Sequence, residues 1–510
     1  MLVGVIGLGI AAYPLTLPSM LAGVHGFSSG QGYDDGAYLG MALRLVHGAL
    51  PYKDYGFVHP PGISLLMAPV AALDGLIGSR DVLVISRLLM VVVAGVNCGL
   101  VALAVRHRGW VASLSAGLLL AGFPGAYTAD HTLLLEPWLV LFCLAAFVLA
   151  FPGGRVATSP RRLLLAGLCA GFAGTVKIWA VLPVVAVVVV VVVVRRRTSL
   201  PLLAGLVLGG VVPTLPFFLA APRAFTHDVL VAQLARSTSG GRLDAATRIG
   251  VLTGLKHFGE PASTRPVVVL AVMAAVVVLV LMAAARSRLV AADIAALAAT
   301  ATVLLGLFVP VQLYDHYAYF SAAFVALLVG ACVGLAAAGA RRLAGRRWQA
   351  PWQTAVVAAV PVVLVVVVVL LALPQGLGRA RDYFAEASDP SPVISQLVPA
   401  GACVVTDDPV LLIDANRFVA KRSDCPQVVD PFGLWLSDAD GTLPHVGGPF
   451  PQAFVDEWSG WLYQADYVVL SVPGSSYLPF SPGLLEQFGN TYKQIGQVDH
   501  AYVYQRLPRA

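Results

Sequence analysis

Asp34 and Asp35 stand side by side in the stretch GYDDGAYLGMALRLVHG, between Gly32 and Gly36. A carboxylate with glycine neighbours can come close to a substrate and take the proton of a hydroxyl as a new bond forms there. A single base suffices for that step. Adjacent residues of a helix point about 100° apart, so only one of the pair can face a reacting centre. The other can bind a divalent metal such as Mg or Mn, position an acceptor, or cap the amphipathic segment that follows, whose start favours acidic residues.

Further along, Glu136 precedes Pro137 in YTADHTLLLEPW. Proline is favoured at the first helical position, so Glu136 serves either as a helix-start acid or as a second acid facing Asp34 across a cavity. Asp130 and His131 of the same stretch read as solvated loop residues. Lys177, in TVKIWA, lies between two short apolar segments. An ionisable residue there either snorkels to water or binds an anion, and a lipid phosphate is a natural partner. His59, Arg44, Arg80 and Arg87 are further candidates for a phosphate. The stretch QLYDHYAYF adds Tyr314, His316 and Tyr319, which also fit an interfacial aromatic belt. TDDP, at 406–409, reads as a turn after a strand.

These residues sit in a chain composed for lipid. Of its 510 residues, 58% are hydrophobic and 12% charged, against roughly a quarter charged in soluble proteins. The apolar residues come in blocks of about 20, the length that crosses a bilayer. Blocks that are apolar throughout read as helices, since each helix satisfies its own backbone in lipid. The net charge of +6 is mostly arginine, in clusters at 106/108, 155/161/162, 195–197, 286/288 and 341/342/346/347. Clusters between apolar blocks are topology signals rather than a nucleic-acid patch, and they belong in the cytoplasm.

The resulting architecture is a polytopic α-helical membrane protein with about eleven transmembrane helices, N-terminus inside and C-terminus outside. The apolar start is taken as the first span, because it lacks a basic n-region and Pro14 and Pro18 interrupt it. The piece HPPGISLLMAPVAALDGLIG is laid on the outer interface as a juxtamembrane helix opening at Pro60 and Pro61. Asp34, Glu136 and Lys177 then share the outer face. Residues 1–374 form the membrane domain, with an outer loop over 23–78. Residues 375–510 read as a small extracytoplasmic α/β domain in which ACVVTDDPVLLID, ADYVVLSVP and AYVYQRL are strands. Outside the cytoplasm, Cys403 and Cys425 can form a disulfide. The other cysteines, Cys98, Cys143, Cys169 and Cys332, read as small core residues. The alanine, valine and arginine bias suggests a high-GC bacterial gene, hence a bacterial plasma membrane.

Over residues 30–180 the order of these motifs resembles the GT-C superfamily of membrane glycosyltransferases. Within it, the chain looks most like the branch of the protein O-mannosyltransferases and the lipid A aminoarabinose transferase. That branch carries an Asp-Glu pair in the first outer loop, then a tyrosine and a basic amphipathic helix. Here these are Asp34-Asp35, Tyr38 and Arg44, with Asp35 in the place of the glutamate. His59-Pro60-Pro61-Gly62 resembles its His-Pro-Pro element, and Ser86-Arg87-Leu88 its Ala-Arg-Leu-like element. Glu136 stands for its acidic residue in the second outer loop, and Val176-Lys177-Ile178-Trp179 for its Val-Lys-Trp element.

The resemblance implies a sugar that leaves a polyprenyl phosphate, with inversion, for a hydroxyl or amine of an envelope glycan, lipid or protein. Asp34 would be the base, with Asp35 and Glu136 beside it. Lys177, with Arg87 or Arg44 and His59, would hold the departing phosphate, whose charge grows in the transition state. Tyr38, His316 and Tyr319 would touch substrate, and decaprenyl phosphate would be the carrier in a high-GC bacterium. Two other functions compete. A transporter or flippase needs polar residues in mid-span or broken helices in two matching halves, whereas here no repeat is visible and the acids gather at one face. A non-catalytic envelope scaffold has no use for Asp34, Glu136 and Lys177 together.

Overall fold

The structure is a computed structural model that describes residues 2–12, 32–235, 243–254, 289–310, 313–347, 389–433, 450, 452–471, 479–499 and 501–508. Apolar helices make up the larger part. Those that build the bundle are α1 (Leu2–Ala12), α4 (Ser79–Ala104), α5 (Trp110–Ala121), α6 (Leu135–Ala150), α7 (Pro160–Val176), α8 (Val181–Val194), α9 (Leu200–Ala220), α10 (Ala291–Leu307) and α11 (Tyr317–Arg347). Three stretches, Ser79–Ala104, Leu200–Ala220 and Tyr317–Gly339, are long and apolar enough to cross a membrane. The apolar stretches 266–285 and 352–374, which the sequence marks as two of the eleven spans, lie outside the described residues.

Small residues set the closest helix contacts. Gly167 and Gly171 of α7 face Gly205 and Gly209 of α9, and a Cβ on any of them would run into the other helix's backbone. Where lipid is no less apolar than the side chains, such backbone proximity is what dispersion forces can use. A Cβ on Gly7 of α1 would run into the side chain of Cys98 of α4. The turns at Arg106–Arg108 and Pro152–Gly154 meet at one end of the bundle. Arg108 pairs with Asp293 at the head of α10, and His107 Nε2 lies 3.1 Å from the same carboxylate. Helix α6 runs from that end, where Gly154 lies beside His107, to Glu136 at the other.

Two elements lie across that second end. Helix α2 (Tyr33–Val46) carries Asp34 and Asp35 in its first turn and Arg44 in its last, the polarity its dipole favours. It is buried from Asp35 to Arg44, between the bundle and the C-terminal part. Helix α3 (Gly62–Ala71) opens directly after Pro61. A Cβ at Gly62 would strike the carbonyl and hydroxyl of Thr175 at the end of α7. The His-Pro-Pro-Gly element therefore packs on the chain just before Lys177.

The C-terminal part holds a four-stranded sheet in the order β1-β2-β4-β3. β1 (Val404–Thr406) runs parallel to β2 (Tyr467–Leu470), while β3 (Tyr492–Val498) and β4 (Ala501–Arg506) form an antiparallel hairpin beside them. Two expectations from the sequence need correction here. The PVLLID half of ACVVTDDPVLLID is a helix, α12 (Pro409–Asp414), because Asp408 caps it and Pro409 suits its first position. The strand β3 was absent from the sequence reading, since its exposed Lys493, Gln494 and Gln497 break the apolar pattern. Cys403 and Cys425 form a disulfide. One core of this part gathers Phe454, Trp458 and Leu462 of α13 (Gln452–Gln464) with Val405 and Val468. Leu411 and Phe418 belong instead to the core shared with the bundle.

Candidate active site

Helix α2 is fixed by the aspartate that faces away from open space. Arg87 of α4 grips Asp35, with Nη2 2.5 Å and Nε 2.7 Å from Oδ2, and neither side chain is exposed at all (0%). The backbone N–H of Leu133, just before α6, donates to the other oxygen of Asp35. One carboxylate thus ties α2 to both α4 and the entry of α6. Its neighbour Asp34, turned about 100° round the helix, lines a cavity instead. The glycines beside the pair serve the fold. Gly32 adopts φ +104° ahead of the helix, and a Cβ on Gly36 would overlap the backbone of Val410 in α12.

The cavity holds about 170 Å³ and is lined by residues of five regions. Asp34 and Tyr38 come from α2, and His59 from the His-Pro-Pro element. Lys177 comes from the extended break between α7 and the turn before α8, and Tyr314, His316 and Tyr317 from the entry to α11. Lys177 Nζ lies 2.5 Å from Glu136 Oε1, and its ammonium sits over the rings of Trp179 at 4.2 Å and Tyr317 at 4.3 Å. His316 Nε2 is 3.9 Å from the same Glu136 oxygen, and its ring stacks on Tyr314. Tyr38 and His59 meet edge to face at 5.7 Å. The paired cation, held between a carboxylate and two π faces, is fixed in direction before any ligand arrives.

The fifth region is the C-terminal part, which supplies Asp430 and Phe432. The Tyr33 hydroxyl donates to Asp430 Oδ1 at 2.7 Å and accepts from the Phe432 N–H at 2.8 Å. The first residue of α2 is thereby clamped to the opposite wall. Burial, then the Asp430 carboxylate, pushes the Tyr33 hydroxyl well above its ordinary value, so it stays a donor.

The structure brings Asp34, Tyr38, His59, Lys177 and His316 to one cavity, with Glu136 directly behind Lys177. It does not bring Arg44, Arg87 or Tyr319 there. Arg44 lies ten residues along α2 from Asp34, about 15 Å of helix, with its guanidinium 4.3 Å from the Phe418 ring. Burial lowers its pKa to about 10. Arg87 is committed to Asp35. Tyr319 is two residues past Tyr317 on α11, about 200° round the helix. Its hydroxyl accepts from Asn97 at 3.1 Å inside the bundle. Asp130 and His131, read from the sequence as solvated, are buried. Arg80 turns to the C-terminal part, 2.8 Å from Asp389.

Tyr33, Tyr317, Asp430 and Phe432 escaped the sequence reading. Tyr33 had a signal, its position next to Asp34. Asp430 and Phe432 had none, since nothing local shows that a turn 396 residues after Asp34 returns to it. As for a metal, no group of three or more His, Cys, Asp or Glu side chains among the described residues is placed to hold one. The aspartates at 34 and 35 point apart, so they do not form a joint ligand set.

The model of glycosyltransferase family 87 matches residues 57–310. A search of curated proteins found no match. Among solved structures, the chain is similar to ArnT from Cupriavidus metallidurans bound to undecaprenyl phosphate. The TM-score is 0.59 at 16% identity, covering 99% of this chain and 98% of that one. It is also similar to the Archaeoglobus fulgidus oligosaccharyltransferase tethered with an acceptor peptide containing the NVT sequon. There the TM-score is 0.51 at 12% identity, covering 99% of this chain and 74% of the other.

Proposed function

We propose that the chain, which the model of glycosyltransferase family 87 matches over residues 57–310, is a GT-C-type inverting transferase using a polyprenyl-phosphate sugar. The acceptor is a cell-envelope glycan, lipid or protein at the outer face of a bacterial plasma membrane, and the sugar is a hexose or a pentose. The observation that carries this reading is Asp34 and Lys177 lining the same cavity. A group able to take a proton and a group able to hold a phosphate face one space.

The acceptor hydroxyl or amine gives its proton to Asp34 as its heavy atom bonds to the anomeric carbon. The bond from that carbon to the phosphate oxygen breaks on the opposite face, and its electron pair leaves with the phosphate. Negative charge grows there, and Lys177 lowers the barrier because its ammonium is already in place. Glu136 holds that ammonium, while His316 and His59 add polar groups around the phosphate. Asp35 and Arg87 aim Asp34 through the helix they anchor. No step is assigned to a divalent ion.

The test is transfer from radiolabelled polyprenyl-phosphate sugars into a membrane-glycan extract, by wild type and by Asp34→Asn. Transfer by the variant should fall by about 10²–10⁴-fold, with binding of the bare carrier unchanged. Equal transfer by both proteins would remove Asp34 as the base. Lipid movement across vesicles, with no transfer by wild type from any donor, would favour the flippase.

A further inference from the structure

Resting on that reading, we infer that the C-terminal domain supplies the sugar-recognising wall of the cavity, with Asp430 accepting hydrogen bonds from hydroxyls of the donor's glycosyl unit. Phe432 offers a ring beside it for the apolar face of the sugar.

The inference stands on placement and charge. Asp430 and Phe432 line the cavity that also holds Asp34 and Lys177. The donor has one anionic end, its phosphate, and one uncharged end rich in hydroxyl donors. Lys177 marks the place of the phosphate. A buried carboxylate on another wall repels an anion and suits hydroxyl groups, because hydrogen bonds to an ionised acceptor are the stronger kind. The Asp430 carboxylate is also firmly seated. Tyr33 and the Gly433 N–H, at 2.9 Å, both donate to Oδ1. Any side chain at Gly433 would collide with Oδ2. The hydroxyl that holds Asp430 belongs to the residue beside Asp34, so the sugar contact and the base share one link.

The test is equilibrium binding of the full-length protein in detergent. Bare decaprenyl phosphate is compared with its mannosyl, glucosyl and arabinofuranosyl forms, by displacement of radiolabelled carrier. Wild type should bind at least one sugar-bearing form about tenfold or more tighter than the bare carrier, the size of one hydrogen bond to a charged group. Asp430→Ala and Asp430→Asn should reduce that preference to within about threefold, with bare-carrier affinity unchanged. The unchanged affinity also certifies that the variants are folded.

An undiminished preference in both variants would overturn the inference and leave the proposed function standing. So would a wild type that binds carrier and sugar-bearing lipid equally. If Tyr33→Phe abolished the preference as fully as Asp430→Ala, Asp430 would be only a tie for α2, and the inference would fall. A wild type that binds neither lipid would overturn the proposed function, and the inference with it.

Discussion

Two buried carboxylate–cation pairs lie at the same end of this bundle, and they differ in what surrounds them. Asp35 and Arg87 are sealed, with a backbone N–H completing the carboxylate. Glu136 and Lys177 are nearly as buried, yet Lys177 lines the cavity under two aromatic rings and a histidine approaches Glu136. The sealed pair can only organise. Its charges cancel each other, and water or substrate cannot reach them. Under the proposed function the pair at the cavity does both, because an arriving phosphate would share the ammonium that Glu136 has aimed. Burial alone therefore does not tell a structural ion pair from a working one; access to a cavity does.

The largest expected effect comes from breaking the sealed pair. Arg87→Met leaves an uncompensated charge at Asp35, which costs about 3–5 kcal/mol. It should lower the yield of folded protein and its melting temperature sharply. The double variant Asp35→Asn/Arg87→Met should recover much of that loss, giving a coupling energy of about 2–3 kcal/mol in a thermodynamic cycle. Additive losses would mean that the two side chains act independently and that α2 is anchored by something else.

Lys177→Met should divide the other way. Transfer and bare-carrier affinity should fall by about 10²-fold, since one charge-assisted contact to the phosphate is lost. The melting temperature should drop less than in Arg87→Met, because Glu136 can protonate beside the cavity and keeps His316 nearby. A Lys177→Met protein that unfolds like Arg87→Met yet binds carrier normally would merge the two pairs into one structural class.

Most of this contrast was hidden from the sequence, for a reason that the helices make plain. The ordered motifs from Asp34 to Lys177 were legible because each is local: an acid pair at a helix start, a proline-opened helix, a lysine at a helix break. Helical geometry even required the two aspartates to part ways. Which one would face the cavity depended on where Arg87 and Leu133 lie, and that is tertiary. The same limit misdirected Arg44, Arg87 and Tyr319, whose side-chain types suit a phosphate or a sugar but whose helical phase or existing partner takes them elsewhere. The C-terminal strands were readable where valines cluster and lost at β3, where exposed polar residues interrupt the pattern. Asp430 became visible only when the chain had folded back on α2.

The smallest effect sharpens the comparison at the seam between the bundle and the C-terminal part, where a buried carboxylate, Asp414, faces the partly exposed Arg80 away from the cavity. Asp414, at the end of α12, lies 3.6 Å from Arg80 Nε, and Arg80 also pairs with Asp389. Burial raises the Asp414 carboxyl to about 7, with Arg80 and Arg87 opposing and Asp389 adding to the rise. A folded-state value above the ordinary one means that the folded protein binds more protons between about pH 4 and 7. This contribution to stability is full below about pH 4 and is lost as the pH rises through about 7. Asp389 runs the opposite way. Hydrogen bonds from Ser391 and the charge of Arg80 overcome its burial and hold it low, so its contribution fails only under acid conditions. Asp408, raised to about 8 by burial and then by Asp407, shares the sign of Asp414, so a substitution is needed to separate them. The wild-type melting temperature should fall from pH 5 to pH 8. Asp414→Asn should flatten that slope and melt about 1–2 °C higher at pH 8. Equal slopes in the two proteins would show that Arg80 neutralises Asp414 in the fold, and the seam would then rank with the sealed pair.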